Sequence, residues 1–347
     1  MRKLILLTAL ALTLSGPAGA AAPNDQYFGL QWGLQQINAD EAWGMSTGFG
    51  QVIAVVDAGV DLSHPDLQGK LVPGITFSGC ATNANGCGNG DWKSAPSAGT
   101  PSPHGTHVAG IAAAATGNGI GIAGVARDAR VMPVKALTEE GGSFEEIAAG
   151  IRWAVDHGAD VINMSLGALP GVQVLVLSGL ISDVAAAIDY AVSRNVPVIV
   201  AAGNEFASIC AEPSFDAGAL CVTSTDRNEL RSSFSNFGIK PDLNVVAAPG
   251  GAAFLSCDED ILSTVPAGTE SSCGAGKPGY DDYAGTSMAT PHVAGVAALL
   301  TAQGRGVSNV YGVLKSTART PGLGSRGVYT PTYGFGIVDA DAAVKAP

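Results

Sequence analysis

Residues 51–59 read QVIAVVDAG, five apolar residues in a row followed by an aspartate and a turn. A strand with one wet face would alternate apolar and polar residues, so a short unbroken run marks a strand buried on both sides. The same form returns along the chain: ARVMPVKAL (129–137), ADVINMSLG (159–167), VPVIVAAGN (196–204) and LCVTSTD (220–226) all read as buried strands. Helical patterns lie between them: HGTHVAGIAAAA (104–115), broken by glycines at 117–121, then FEEIAAGIRWAVDHG (144–158) and ISDVAAAIDYAVSRN (181–195). Buried strands each followed by a helix predict an α/β fold of three layers, a mainly parallel central sheet with helices on both faces. Residues 79–103, rich in glycine, proline, serine and asparagine, predict a large surface loop within one domain, and residues 250–280 predict a second. No internal repeat or long linker divides the chain.

The composition, 46% hydrophobic and 14% charged over 347 residues, favours a large packed core over disorder. The first twenty residues, MRKLILLTALALTLSGPAGA, have a positive start at Arg2 and Lys3, an apolar core over 4–14 and a small-residue cleavage site at Ala18-Gly19-Ala20. Those are the parts of a secretory signal peptide. The apolar core is too short to span a membrane, and no later run reaches about 18 apolar residues. The reading is an exported, soluble protein, extracellular or periplasmic, with no membrane partner. Its formal charge of −12, which becomes −14 without Arg2 and Lys3, argues against nucleic acid and is compatible with bound cations. Six cysteines in an exported chain imply disulfides, and the absence of CxxC spacing counts against zinc. They fall as Cys80/Cys87, Cys210/Cys221 and Cys257/Cys273, each pair in or beside a loop, which predicts three local bridges.

Ligands of parallel sheets bind at the carboxyl ends of the strands. The polar residues ending the strands above are Asp57, Ser165 and Asn204, and after a loop comes GTSMATPHVAG (285–295), running into a buried helix. Ser287 reads either as a helix N-cap, which serine suits, or as a nucleophile presented at a helix start. Pro291 fits a first helical turn. A nucleophilic serine needs a base within reach and a group to orient that base. Of the five histidines, His292 lies five residues past Ser287, off the helix-neighbour spacing. His157 ends an amphipathic helix and His64 sits in a turn before Pro65. His104 and His107 share a helix face, with His104 at its mouth. Position favours His104; the residues alone leave the choice open.

VIAVVDAGV, HGTHVAG, VIVAAGNE and GTSMATPHVAG, in that order, resemble the four signature blocks of the subtilisin-type serine proteases, closest to the thermitase-like branch. The likeness covers residues 24–345. It implies a secreted serine endopeptidase in which Ser287 is the nucleophile, His104 its base and Asp57 the group that orients His104. Asn204 would donate to the oxyanion beside the backbone N–H of Ser287. Substrate backbone would lie between Gly141-Gly142-Ser143 and Ser165-Leu166-Gly167, with a primary pocket lined by 165–168 and by Ala201, Ala202 and Gly203, and Glu205 near its rim. Small residues there imply cleavage after large apolar side chains, with Ala168 narrowing the space. TGNGIGI (116–122) resembles the family's calcium loop, which implies Ca²⁺ held by Asn118, by the carbonyls of Ala115, Ile120 and Ile122, and by the carboxylates of Asp66 and Asp25. One departure stands out. The family usually has a hydroxyl residue after the aspartate, and here the block reads Asp57-Ala58-Gly59.

Without the resemblance, Asp57 could be a capping carboxylate, Asn204 a turn residue, and the glycine-rich loop plain. GTSMA also comes near the nucleophile elbow of α/β-hydrolases, but that fold needs serine, acid and histidine in that order, and His292 precedes every later aspartate. A degenerate protease domain used as a binding module is the non-enzymatic alternative, and Ala58 alone leans that way. The expected organisation is a signal peptide over 1–20 and a peptidase domain over 21–347 with no propeptide evident. The expected partners are protein and peptide substrates. The chain would be a monomer that folds unaided, or with a separate chaperone and inhibitor.

Overall fold

The computed structural model describes residues 22–80, 85–93, 100–167, 182–215, 218–238, 243–253, 256–271, 273 and 277–347. The signal segment 1–20 and Ala168 lie outside the described residues.

Seven parallel strands form the central sheet: β1 (Val52–Asp57), β2 (Ile75–Thr76), β3 (Arg130–Lys135), β4 (Val161–Met164), β5 (Val198–Ala201), β6 (Leu220–Thr225) and β7 (Val245–Pro249), in the order β2-β3-β1-β4-β5-β6-β7. Alternate side chains of β1 enter different cores, which is why its run is apolar throughout. Two short helices, α1 (Trp32–Gln36) and α2 (Ala39–Ala42), precede β1, whose Ile53 and Val55 pack with α3 (His104–Ala113) and α6 (Thr286–Thr301) on one face. Ala54 and Val56 pack with α4 (Phe144–Asp156) and α5 (Ser182–Ser193) on the other. Both layers are therefore dry, and each fully buried Ile, Leu or Val contributes about 1.5–3 kcal/mol.

β3 lies on one side of β1 and β4 on the other, so the chain crosses over β1 in passing from β3 through α4 to β4. Strand order reverses there, and the carboxyl end of β1 opens onto the crevice where such sheets bind ligands. Asp57 is the last residue of β1.

Residues 250–280 are not simply a loop. They hold β8 (Ile261–Thr264), which pairs antiparallel with β9 (Tyr280–Tyr283). The short strand is held from outside itself: Ser263 Oγ donates to the His107 carbonyl and Thr264 Oγ1 to the Thr106 carbonyl, both at 2.7 Å. Those contacts have no local sequence pattern. The three cysteine pairs Cys80–Cys87, Cys210–Cys221 and Cys257–Cys273 are bonded.

Candidate active site

Asp57 is fully buried at the end of β1, and its Oδ1 accepts from the backbone N–H of Ala58 at 2.7 Å and from His104 Nδ1 at 2.8 Å. The carboxylate only accepts, so Nδ1 carries the proton and Nε2 presents a lone pair. His104 is the first residue of α3 and about a third exposed. It can approach Asp57 because Gly105 has no side chain: a Cβ there would lie 2.3 Å from the Gly59 carbonyl oxygen. Burial pulls the imidazole's pKa down, but the Asp57 charge and hydrogen bond, with Glu139, outweigh it and raise it above the usual 6.5.

The other histidines are built into the fold. His107 is buried, donates through Nε2 to the carbonyls of Ile261 and Asp281, and stacks on Tyr283. Burial pushes it down to about 3. His292 is buried with Nδ1 bonded to the Met288 carbonyl, and burial lowers it to about 4. His64 caps a short turn by accepting from the Asp66 N–H, and His157 bonds the Trp153 carbonyl.

Ser287 is the second residue of α6, after the cap position occupied by Gly285, so it does not cap the helix. Pro291 is not in the first turn either; it lies inside α6. Having no N–H, it cannot bond the carbonyl four residues back, that of Ser287. Ser165 Oγ donates to this freed carbonyl at 2.7 Å, and Asn163 Nδ2 donates to Ser165 Oγ at 3.0 Å. The end of β4 is thereby tied to the start of α6. Ser287 Oγ makes one long bond, 3.3 Å, to the Ser165 carbonyl.

Asn204 Oδ1 accepts from the backbone N–H of Thr286 at 2.9 Å and from its hydroxyl at 3.1 Å. A backbone N–H can only donate, so this fixes the amide orientation and leaves Nδ2 as a donor. A Cβ placed on Gly285 would lie 3.7 Å from Asn204 Nδ2 and 3.6 Å from the Ser287 nitrogen. Two donors, with Met288 Sδ at 3.7 Å, therefore surround the position a Gly285 Cβ would take.

A cleft of about 560 Å³ runs past Asp57, His104 and Ser287, and Gly141, Gly142, Ser165, Leu166 and Gly167 also line it. Ser143, Ala202, Gly203 and Asn204 do not. Ser143 instead caps α4, its Oγ accepting from the Glu146 N–H while Glu146 accepts from the Ser143 N–H. Ala202 and Gly203 are buried, and a Cβ on Gly203 would meet Asn236, Glu205 and Ala211. Glu205 bonds Asn236 and stands away from the cleft. Glu212 and Pro213 do line it, and sequence reasoning passed over them. They follow Ala211, whose Cβ lies 3.7 Å from where a Cβ on Gly167 would sit and 3.1 Å from one on Gly203. The available signal was Cys210: its bridge to Cys221, next to Leu220 at the start of β6, brings this segment against the sheet.

At the far end of α3, Asp25 accepts from the N–H groups of Gly117 and Asn118 at 2.8–3.1 Å. Asp66 is buried and accepts from Asn118 Nδ2 at 2.7 Å and from the Ile122 N–H at 2.8 Å. Burial raises the Asp66 pKa, the hydrogen bonds of Ile122 and Asn118 oppose this, and Asp25 adds to the rise. Among the described residues no Lys or Arg pairs with either carboxylate, and no hydrogen bond reaches the carbonyls of Ala115, Ile120 or Ile122. Two carboxylates, an amide and three free carbonyls around one glycine-rich loop form an all-oxygen set that fits a hard cation. Asp281, Asp282 and Cys273 also cluster, but that sulfur is bonded to Cys257 and is no thiolate ligand.

An aspartate–histidine pair at the carboxyl end of a parallel sheet, sharing a cleft with a serine, is an arrangement that serine hydrolases use. Known proteins narrow the class. The Subtilase family model matches residues 48–336, and the chain belongs to that family and is a serine endopeptidase. It is 42% identical to thermitase of Thermoactinomyces vulgaris over 299 residues, 85% of this chain and 91% of that protein. It is 38% identical to an extracellular protease of Xanthomonas campestris pv. campestris over 93% of this chain, but it spans only 57% of that relative's length. A solved protease structure from Pseudoalteromonas arctica matches with a TM-score of 0.75 and 36% identity, over 93% of this chain and 99% of that one. The parallel sheet expected from the apolar runs agrees with that neighbour's fold.

Proposed function

We propose that the protein is a secreted endopeptidase that cuts peptide bonds through an acyl-enzyme, with Ser287 as nucleophile, His104 as general base and then acid, and Asp57 orienting the imidazole. The observation that carries this is the 2.8 Å Asp57–His104 bond at the wall of the cleft that also holds Ser287. With Nδ1–H given to Asp57, Nε2 is the base that takes the Ser287 proton once Oγ leaves the Ser165 carbonyl. Asn204 Nδ2 and the Ser287 N–H then hold the oxyanion that forms on the attacked carbonyl. Substrate backbone pairs with Gly141–Gly142 and with Ser165–Gly167, which gives affinity without reading sequence.

Gly167, which lines the cleft without a side chain, leaves room for a large side chain before the cut. Exposing the protein to a diverse peptide library and sequencing the products should give cuts mainly after large apolar or aromatic residues. A map dominated by cuts after lysine and arginine would overturn this preference.

Calcium at the Asp25–Asp66–Asn118 loop would supply the positive charge that these carboxylates lack. Asp25, Asp66 and Asn118 would hold it, and its role would be structural, tying the segment around Asp25 to the end of α3 and to the turn at Asp66. A ligand bound only by the folded state stabilises it by about 2.7 kcal/mol at a hundredfold excess over its Kd, roughly 5 °C in Tm for a chain of this size. EDTA is expected to lower the melting temperature by about that much, and calcium to restore it. Asp66→Ala should blunt the response. An equal response in Asp66→Ala would show that Asp66 is not a ligand.

A further inference from the structure

Asp57 is a buried carboxylate with only one of its two oxygens in use. Oδ1 takes both available donors, the Ala58 N–H and His104 Nδ1. Oδ2 is buried and has no hydrogen-bond partner. The next side chain along the chain is the methyl of Ala58, itself 3% exposed and lining the same cleft. A buried carboxylate oxygen without a donor is costly, because a hydrogen bond to the charged form is what stabilises it. That cost falls on the charge facing His104.

We infer that Ala58 is a positioning residue for the base: by withholding a side-chain donor from Asp57 Oδ2, it leaves the aspartate's charge to be met at Oδ1 by the imidazole and the Ala58 N–H, and moves the working pH of the cleft upward. This rests on the proposed roles of Asp57 and His104 and adds to them a determinant of the pH range. A donor on Oδ2 would draw charge away from Oδ1 and weaken the grip of Asp57 on the His104 proton. Without one, the imidazolium is held more tightly. His104 is then the stronger base towards Ser287, and it must be deprotonated at a higher pH before it can act.

The charges around the pair are few. β1 supplies Asp57, and the segment after β3 supplies Glu139, which reinforces the effect. α3 supplies His107 and α6 supplies His292, both held neutral by burial. From β3, Lys135 stands beside Asp57 in the register, but its Nζ donates to the Trp92 carbonyl at 2.6 Å.

The test compares Ala58→Ser, Ala58→Thr and Ala58→Val. Thr and Val have nearly the same shape, and only Thr brings a hydroxyl. The acid limb of kcat/KM should fall by roughly half a pH unit or more in the Ser and Thr variants, as an added donor to the charged acceptor requires, and stay in place for Val. A second reading does not need activity. In a Ser287→Ala background, the His104 imidazole is titrated by NMR with and without Ala58→Ser, and its midpoint should move down with the serine. Equal midpoints and equal limbs in all variants would overturn the inference. An unmoved activity profile with a shifted NMR midpoint would instead fault the assignment of His104 as the base.

Discussion

Ser287→Ala is expected to lower kcat for peptide hydrolysis by on the order of 10⁴–10⁶ while leaving the melting temperature within a degree or two. Subtilisin, a member of the same family, loses activity on that scale when its nucleophilic serine is removed. The stability half follows from the site. Ser287 is partly exposed, and its hydroxyl makes one bond of 3.3 Å, so its removal leaves no cavity and strands no buried group. His104→Ala should lose as much activity but differ in stability. It strips Asp57 of its imidazole partner and leaves a buried carboxylate with the Ala58 N–H alone, a loss of about 1–3 kcal/mol. A Ser287→Ala protein that melts normally and a His104→Ala protein that melts early, both inactive, would match the account. Full peptidase activity in either variant would contradict it.

The second large effect concerns the spot above Gly285. Gly285→Ala places a methyl between Asn204 Nδ2 and the Ser287 N–H, at 3.6–3.7 Å from each, where the oxyanion would sit. Those are ordinary contacts, so the variant should fold. It should nonetheless lose roughly 10²–10³ in kcat, as much as removing one oxyanion donor costs. Asn204→Ala should lose a similar factor. Because Asn204 Oδ1 also ties down Thr286, that variant should lose some stability, which Gly285→Ala should not. Steady-state kinetics beside thermal melts separate the two. If Gly285→Ala kept its kcat, the oxyanion would have to form elsewhere.

The layers of the fold were legible because both faces of the central strands are covered, which makes strands such as β1 continuous apolar runs. Asp57, Asn204 and Ser287 stood out because each follows a strand or opens a helix, where a parallel sheet gathers its polar residues. Position alone left the histidine open, and only the likeness to the four subtilisin-type blocks joined them to His104. What stayed hidden depends on contacts across the chain. β8 is a four-residue strand fixed by the carbonyls of Thr106 and His107, and nothing near residue 261 announces it. Pro291 read as a first-turn residue because proline is usually excluded deeper in a helix. Here the missing hydrogen bond is replaced from a distant strand by Ser165. Glu212 and Pro213 reach the cleft from a segment that the Cys210–Cys221 bridge and the bond from the Ala211 N–H to the Ala202 carbonyl hold against the sheet. Ser143 matched the substrate segment by position, yet its hydroxyl is already engaged in capping α4.

On the proposed roles, His104 and Asp57 make Ser287 a nucleophile that no other serine in the chain can match. A fluorophosphonate probe reports this directly, since it reacts with activated serines and is indifferent to peptide preference. Labelling followed by peptide mapping should give one adduct, on Ser287, abolished in Ser287→Ala and nearly abolished in His104→Ala. Labelling on another residue, or a native protein that cleaves peptides yet takes no label at Ser287, would contradict the account.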